Sequence, residues 1–180
     1  QNNLILFEDC CESFGAFDQG KSVGTFGVGG TFSHFFSHHL TTMEGGTIAT
    51  NSNKLADDLR AMRAHGWARN RSDITEISEK YPDLDTRFLF MMPGFNVRPM
   101  EMQAAVGLVQ LSRIDGLLSY RDYFAAHVID ALVKISWLRV AGSERKATSM
   151  KRGERNHSWM NISFILSDDA PIKLSNIVKI

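Results

Sequence analysis

Apolar positions fall into short blocks early in the chain and into a helical period later. Leu4 to Phe7 is a continuous apolar run closed by Glu8 and Asp9. Such a run predicts a strand buried on both faces of a parallel sheet, because a sheet covered by helices on both sides needs apolar residues on both. Thr31–Phe36 and Thr47–Thr50 predict a second and a third strand, separated from the first by a glycine-rich, turn-forming stretch. Ser52 is placed to cap a helix running to about His65, with Leu55, Leu59 and Met62 on one face and Gly66 as its stop. From Trp67 to Pro93 the chain is polar and without a period, which predicts a long loop, of the kind that is either functional or disordered. Pro99 suits the first turn of a helix carrying Met102, Val106 and Val109. A second, longer helix is predicted through Ile114, Leu117, Leu118, Arg121, Phe124, Ala125, Val128 and Leu132. Trp137–Val140 and Ser158–Leu166 predict strands of a smaller second unit, joined by a polar loop or hairpin over 142–153.

The 180 residues suffice for one domain, or one domain and part of another. The chain opens on a hydrophilic Gln-Asn-Asn leading into a strand and stops inside an apolar segment that has only begun. The sequence is therefore expected to be an interior piece of a longer protein. A hydrophobic fraction of 43% supports a core. Twenty basic against twenty acidic residues leave no net charge, so there is no electrostatic case for nucleic acid as a partner. No apolar run approaches the ~20 residues of a membrane span, and no signal peptide is visible. Cys10 and Cys11 are neighbours and do not make a disulfide framework. A reduced, cytoplasmic setting is expected, with no membrane partner.

Four groups carry candidate chemistry. His34, His38 and His39, with Asp9 or Cys10 brought near, contain zinc-ligating atoms. On a strand, however, His34 and His38 share a face and His39 points away, and no zinc pattern is complete; packed or solvent-facing His34 and His39 fit better than a metal site. Gly29–Ser33 puts small residues and two hydroxyls at a turn where a phosphate could sit, although on its own a plain turn is the better reading. Asp9, at a strand's carboxyl end, either caps the following segment or faces a basic ring nitrogen, whose protonated form a carboxylate stabilises. Asn96 and Arg98 are a turn residue and a surface charge, or partners for anions and sugar hydroxyls.

Taken together, EDCCESFGA, the turn ending in Gly24-Thr25-Phe26, TFSHFFSHHLTTMEGG, LRAMRAHGWARN and GFNVRPMEMQAAVGLVQL resemble the sugar aminotransferase family of fold-type I pyridoxal-phosphate enzymes. The resemblance covers most of residues 4–125 in register, with weaker support from HSWMNISF. It implies an α/β fold: residues 1–112 as the C-terminal half of the cofactor-binding large domain, of aspartate aminotransferase type, and 113–180 as a connecting long helix and an incomplete small α+β domain. In that family a lysine that holds the cofactor covalently falls where this chain has His38. The substitution resembles the branch of sugar 3-dehydratases, with wording most like the GDP-linked 4-keto-6-deoxymannose enzymes that make 3,6-dideoxy sugars for bacterial O-antigen. The alternatives are the CDP-linked branch, which uses an iron–sulfur cluster for which no cysteine spacing is seen here, and a non-catalytic relative.

The resemblance implies pyridoxal or pyridoxamine 5′-phosphate bound without a covalent link, L-glutamate as amino donor, and a homodimer with shared active sites. It assigns His38 as the base, since a neutral imidazole can take and return a proton near physiological pH. Asp9 would pair with the ring nitrogen, Glu12 would lie near the ring, Ser33 would bond the cofactor phosphate, and Asn96 would reach the phosphate in the neighbouring subunit. Ser37, standing where the family usually has Asn, together with His65, Arg69 and Arg98, would contact the nucleotide sugar or glutamate. The piece alone is expected to be inactive, because the family's N-terminal portion supplies the other wall of the site.

Overall fold

The computed structural model describes residues 2–141 and 155–177; the loop expected over 142–153 lies outside them. The central sheet has three strands, β1 (Phe7–Asp9), β4 (Gly29–Ser33) and β5 (Gly46–Ala49), in the order β1-β4-β5. β1 runs parallel to β4 and β5 antiparallel to it. Two two-residue strands, β2 (Phe17–Asp18) and β3 (Lys21–Ser22), form a small hairpin between β1 and β4.

The first strand starts later than the apolar run predicts. Leu4 and Ile5 precede it and are 86% and 81% exposed. Leu6 and Phe7 are also exposed, so among the described residues no layer covers that run on both faces. The second strand is earlier than expected, Gly29–Ser33 in place of Thr31–Phe36. Parallel pairing with β1 begins at Gly29, opposite Phe7, and the chain turns away after Ser33.

Register separates two carboxylates. Paired residues of neighbouring strands point to the same face, so Asp9, Thr31 and Ser33 share one side of the sheet and Glu8 takes the other. Glu8 is consumed there: its carboxylate accepts from the backbone N–H groups of Gly24 at 2.7 Å, Phe26 at 2.7 Å and Gly27 at 2.9 Å. The glycine-rich turn is thus fastened beneath the sheet, and Asp9 is left on the open face.

The helix α1 (Asn53–Met62) follows its sequence signals. The Ser52 hydroxyl accepts from the Leu55 amide, and the chain leaves through Gly66 at φ +86°. The segment from 67 to 93 is not a loop throughout. It holds the short helix α2 (Ile74–Lys80) and single helical turns at Ala68–Asn70 and Thr86–Phe88. Asp57 of α1 accepts from the Ser72 amide and hydroxyl, while Arg71 bridges Asp58 and Asp73. Ion pairs rather than an apolar stripe organise this stretch, so hydrophobic periodicity does not see it.

The two helices expected after Pro99 are one, α3 (Glu101–Leu132). Its Gly107 is no breaker: a Cβ there would stand 3.0 Å from the Thr42 methyl, so the glycine admits the loop after β4 against the helix. Ile114 and Leu118, one turn apart, form the buried core with Leu40, and Phe14 packs against it. Beyond α3, β6 (Leu138–Val140) pairs antiparallel with β7 (Phe164–Leu166), and a short α4 (Leu174–Ile177) closes the described chain. The last predicted strand shrinks to three residues because Arg155–Met160 is irregular and bonded to α3 and to the β4–β5 loop instead.

Candidate active site

The loop between β4 and β5 carries the three histidines, and each has a different fate. The Leu40 carbonyl can only accept, so His34 Nδ1 donates to it, at 3.2 Å; His34 Nε2 lies 2.6 Å from the Thr47 hydroxyl. His34 thereby closes the loop across its own stem, helped by backbone bonds from His34 N to Gly45 O and from Thr42 N to His34 O. His39 is buried, and its Nε2 lies 2.9 Å from the Ser158 carbonyl, to which it donates. Burial pushes the His39 imidazole down to about 4, so it is neutral at ordinary pH.

His38 differs from both. It is half-buried, with its amide bonded to the Phe35 carbonyl at 3.0 Å and its ring edge-on to Phe35 at 5.8 Å. Its Nδ1 is buried and, like that of His39, has no hydrogen-bond partner among the described residues; unlike His34 and His39, His38 is not tied through its other ring nitrogen either. A buried ring nitrogen without a partner costs free energy unless something else occupies it.

Asp9 sits at the carboxyl end of β1 with the Cys11 amide donating to Oδ1 at 3.1 Å and the Thr31 hydroxyl 3.4 Å away. The hydrogen bonds from Cys11, with a smaller one from Thr31, hold its carboxyl below the usual range. Ser33 lies two residues beyond Thr31 on the same face, and its hydroxyl accepts from the Phe35 amide at 3.2 Å. Glu12 and Ser37 are exposed, Ser37 at the tip of the histidine loop. Burial raises the Cys10 thiol, and the hydrogen bond to Asp9 raises Cys11. Among the described residues no group of three or more His, Cys, Asp or Glu is placed to hold a metal ion.

His65, Arg69 and Arg98 gather around one residue the sequence reading left unassigned, Trp67. The Arg69 guanidinium lies 4.0 Å from the centroid of the indole, Arg98 5.6 Å from it, and the His65 ring 5.5 Å away edge-on. Arg98 also donates weakly to the Asn96 amide oxygen at 3.3 Å. Asn96 is fixed by a backbone bridge to Ala64, with Phe95 N bonded to Met62 O. The spacing of His65, Trp67 and Arg69 at every second residue is the signal that could have placed the indole among them. No hydrogen bond or ring contact among the described residues joins this cluster to the histidine loop.

Gln103 is a second residue missed. Its side-chain oxygen accepts from the Met100 amide at 2.8 Å, and its nitrogen donates to the Glu44 carbonyl at 2.7 Å. It ties the start of α3 to the end of the histidine loop. No helix among the described residues is long and apolar enough to cross a membrane.

A sequence model of the DegT/DnrJ/EryC1/StrS aminotransferase family matches residues 1–179. GDP-4-keto-6-deoxy-D-mannose 3-dehydratase of Escherichia coli O55:H7 is 37% identical over 179 residues, covering 98% of this chain and 44% of its own length. The chain thus spans less than half of the curated relative it matches. A solved structure of GDP-4-keto-6-deoxymannose-3-dehydratase with a trapped PLP–glutamate geminal diamine is 35% identical, with a TM-score of 0.81 over 98% of this chain and 44% of that one. A mutant of that enzyme with bound GDP-perosamine is 34% identical, with a TM-score of 0.79 over the same shares.

Proposed function

Because the chain belongs to the DegT/DnrJ/EryC1/StrS aminotransferase family, we propose that the protein carrying it is a pyridoxamine-phosphate-dependent 3-dehydratase of a GDP-linked 4-keto-6-deoxyhexose. The observation that carries this reading is His38: an imidazole whose Nδ1 is buried and unpartnered among the described residues, on a loop whose other two histidines each pin it through a ring nitrogen, His34 to the Leu40 carbonyl and His39 to the Ser158 carbonyl. Relatives of that name, and solved structures holding a PLP–glutamate adduct and GDP-perosamine, support the cofactor, the amino donor and the nucleotide sugar.

The residues present fit the cofactor. Asp9, ionised and oriented by Cys11 on the open face of the sheet, would hold the ring nitrogen protonated. The Ser33 hydroxyl, on the same face, would bond the phosphate, and Glu12 would lie beside the ring. When bound, pyridoxamine phosphate supplies the amine that condenses with the sugar's C4 ketone and the ring that serves as an electron sink. His38 would serve as the base beside the bound cofactor, accepting a proton on its imidazole and giving it to the departing C3 hydroxyl. Ser37, at the loop tip, faces the reacting sugar. His65, Arg69 and Arg98, held by Trp67, take the anionic parts of the nucleotide sugar or of glutamate.

We place the boundary of the large domain at 112/113, within α3, with the small domain beginning there. A homodimer with shared sites is supported by the apolar residues on either side of Asn96: Phe95 and Val97 are both 65% exposed, a surface that a second copy would bury while Asn96 reaches its cofactor phosphate.

The test is the full-length protein with a GDP-linked 4-keto-6-deoxy sugar, glutamate and cofactor. Wild type releases ammonia and a 3-deoxy ketosugar, and His38→Asn loses about 10²-fold or more in rate. His38→Lys forms a covalent cofactor link, seen by absorbance, and suppresses dehydration. Full activity in His38→Asn would falsify the assignment. Binding of cofactor without any ammonia release would favour a non-catalytic relative.

A further inference from the structure

Beside His38, the structure holds a buried polar link that the proposed chemistry does not use. His39 is 4% exposed and Ser158 2%, and the 2.9 Å bond between His39 Nε2 and the Ser158 carbonyl spans 119 residues of sequence. The segment that supplies this carbonyl is itself held hard. The Arg155 carbonyl accepts from the Phe17 amide, and the Arg155 side chain meets Asp122 of α3 at 2.7 Å. The Arg121 guanidinium donates to the Trp159 carbonyl at 3.0 Å. Trp159 adopts φ +51°, a left-handed conformation that a bulky residue keeps only when its surroundings enforce it. Its indole stacks on His157 at 4.0 Å, and its amide donates to His157 Nδ1 at 2.9 Å. A conformation of that cost, fixed from several sides, gives His39 a rigid acceptor.

The other stem of the loop is closed by His34, so His38 lies between two pinned histidines. The His39 pin differs in reach. It binds the loop not to the sheet but to the segment beyond α3.

We propose that His39 is a positioning residue for His38: its hydrogen bond to the Ser158 carbonyl fixes the loop stem next to the base, so the imidazole meets its proton without searching. The proposal rests on His38 being the base. Misplacing a catalytic group by about 1 Å can cost 10²-fold in rate with little change in binding.

Three variants of the full-length protein in its cofactor-loaded form test it. His39→Leu keeps bulk and removes the donor. His39→Gln restores an N–H near the position of Nε2, and His39→Asn offers one too short to reach. His39→Leu is expected to lower kcat by about 30-fold while KM for the nucleotide sugar and the cofactor Kd, read by fluorescence titration, stay within about threefold. Backbone hydrogen exchange over residues 35–40 should speed up by about tenfold, and His39→Gln should restore both readouts to within about threefold. A His39→Leu protein with kcat and loop exchange like wild type overturns the proposal. So does a rise in KM or Kd that matches the fall in kcat, since that reports general damage. Should His39→Leu not fold, His39→Gln against His39→Asn decides: a working Gln beside an impaired Asn supports the tether, and equal values overturn it. A fully active His38→Asn would sink the base and this proposal together, whereas an inactive His38→Asn beside an unimpaired His39→Leu sinks only the positioning role.

Discussion

The Asp122 carboxylate and the Arg155 guanidinium meet at 2.7 Å with side chains only 6% and 3% exposed. Removing one partner leaves the other charge buried without compensation, which costs about 3–5 kcal/mol, whereas replacing both with apolar residues is far milder. Asp122→Ala should therefore lower the unfolding free energy by about that amount, and Asp122→Leu with Arg155→Met should recover most of it. Urea unfolding of the three proteins checks this; equal losses in single and double variants would show the pair to be incidental.

Acid should weaken the fold through His39. The folded-state pKa of His39 lies at about 4, against an ordinary 6.5, chiefly because of burial; Arg121, His38 and His157 push it the same way. Between those values the unfolded chain binds a proton that the folded chain refuses. This contribution to stability is present above about pH 6.5 and is lost as pH falls toward 4. Melting temperature measured across that window should fall with pH, and His39→Leu should flatten the slope. An unchanged slope in the variant would mean that another group titrates there.

Trp67 should matter to the anionic substrate. A cation over an indole face is worth ~0.5–2 kcal/mol and fixes where the guanidinium points. Trp67→Leu, which frees Arg69 and Arg98, is expected to raise KM for the nucleotide sugar about tenfold and leave kcat within about threefold. Steady-state kinetics decide, and a fall confined to kcat would contradict the reading.

Gly66 tolerates no side chain. At φ +86° an L residue is strained, and a Cβ would lie 1.7 Å from the Met92 carbonyl oxygen. The strand of chain that passes it does so through Gly94, whose own Cβ would meet Gly66 N at 2.3 Å. Gly66→Ala should cost at least ~1–3 kcal/mol, displace the Phe95–Val97 segment, and lower the melting temperature of the full-length protein. Gly20→Ala, at a similar positive φ but with nothing within 4 Å of the added Cβ, should cost less.

The sequence is legible where local signals act alone. The Ser52 cap and Gly66 exit delimit α1 because capping is a short-range bond. The family's motifs gave Asp9, Ser33 and His38 in register, and the sheet puts Asp9 and Ser33 on one face. Legibility fails where structure depends on polar partners far apart. Asp57 with Ser72, and Arg71 with Asp58 and Asp73, fold a stretch that has no apolar period. Ser158 looked like the start of a strand, yet its carbonyl answers to His39. Trp67 was passed over because nothing in its identity says that three cationic or titratable side chains surround it.

The unbroken α3 has a consequence for how chains of this kind can vary in length. Gln103 grips the Glu44 carbonyl near one end of the helix and Asp122 grips Arg155 well along it. At ~1.5 Å and about 100° of rotation per residue, those two grips stand about 28 Å apart with a set angle between them. The helix is therefore a phased spacer. One residue inserted between the grips would swing one of them by about 100° and break either the loop anchor or the buried ion pair. Insertions and deletions there should be viable only in near-whole turns.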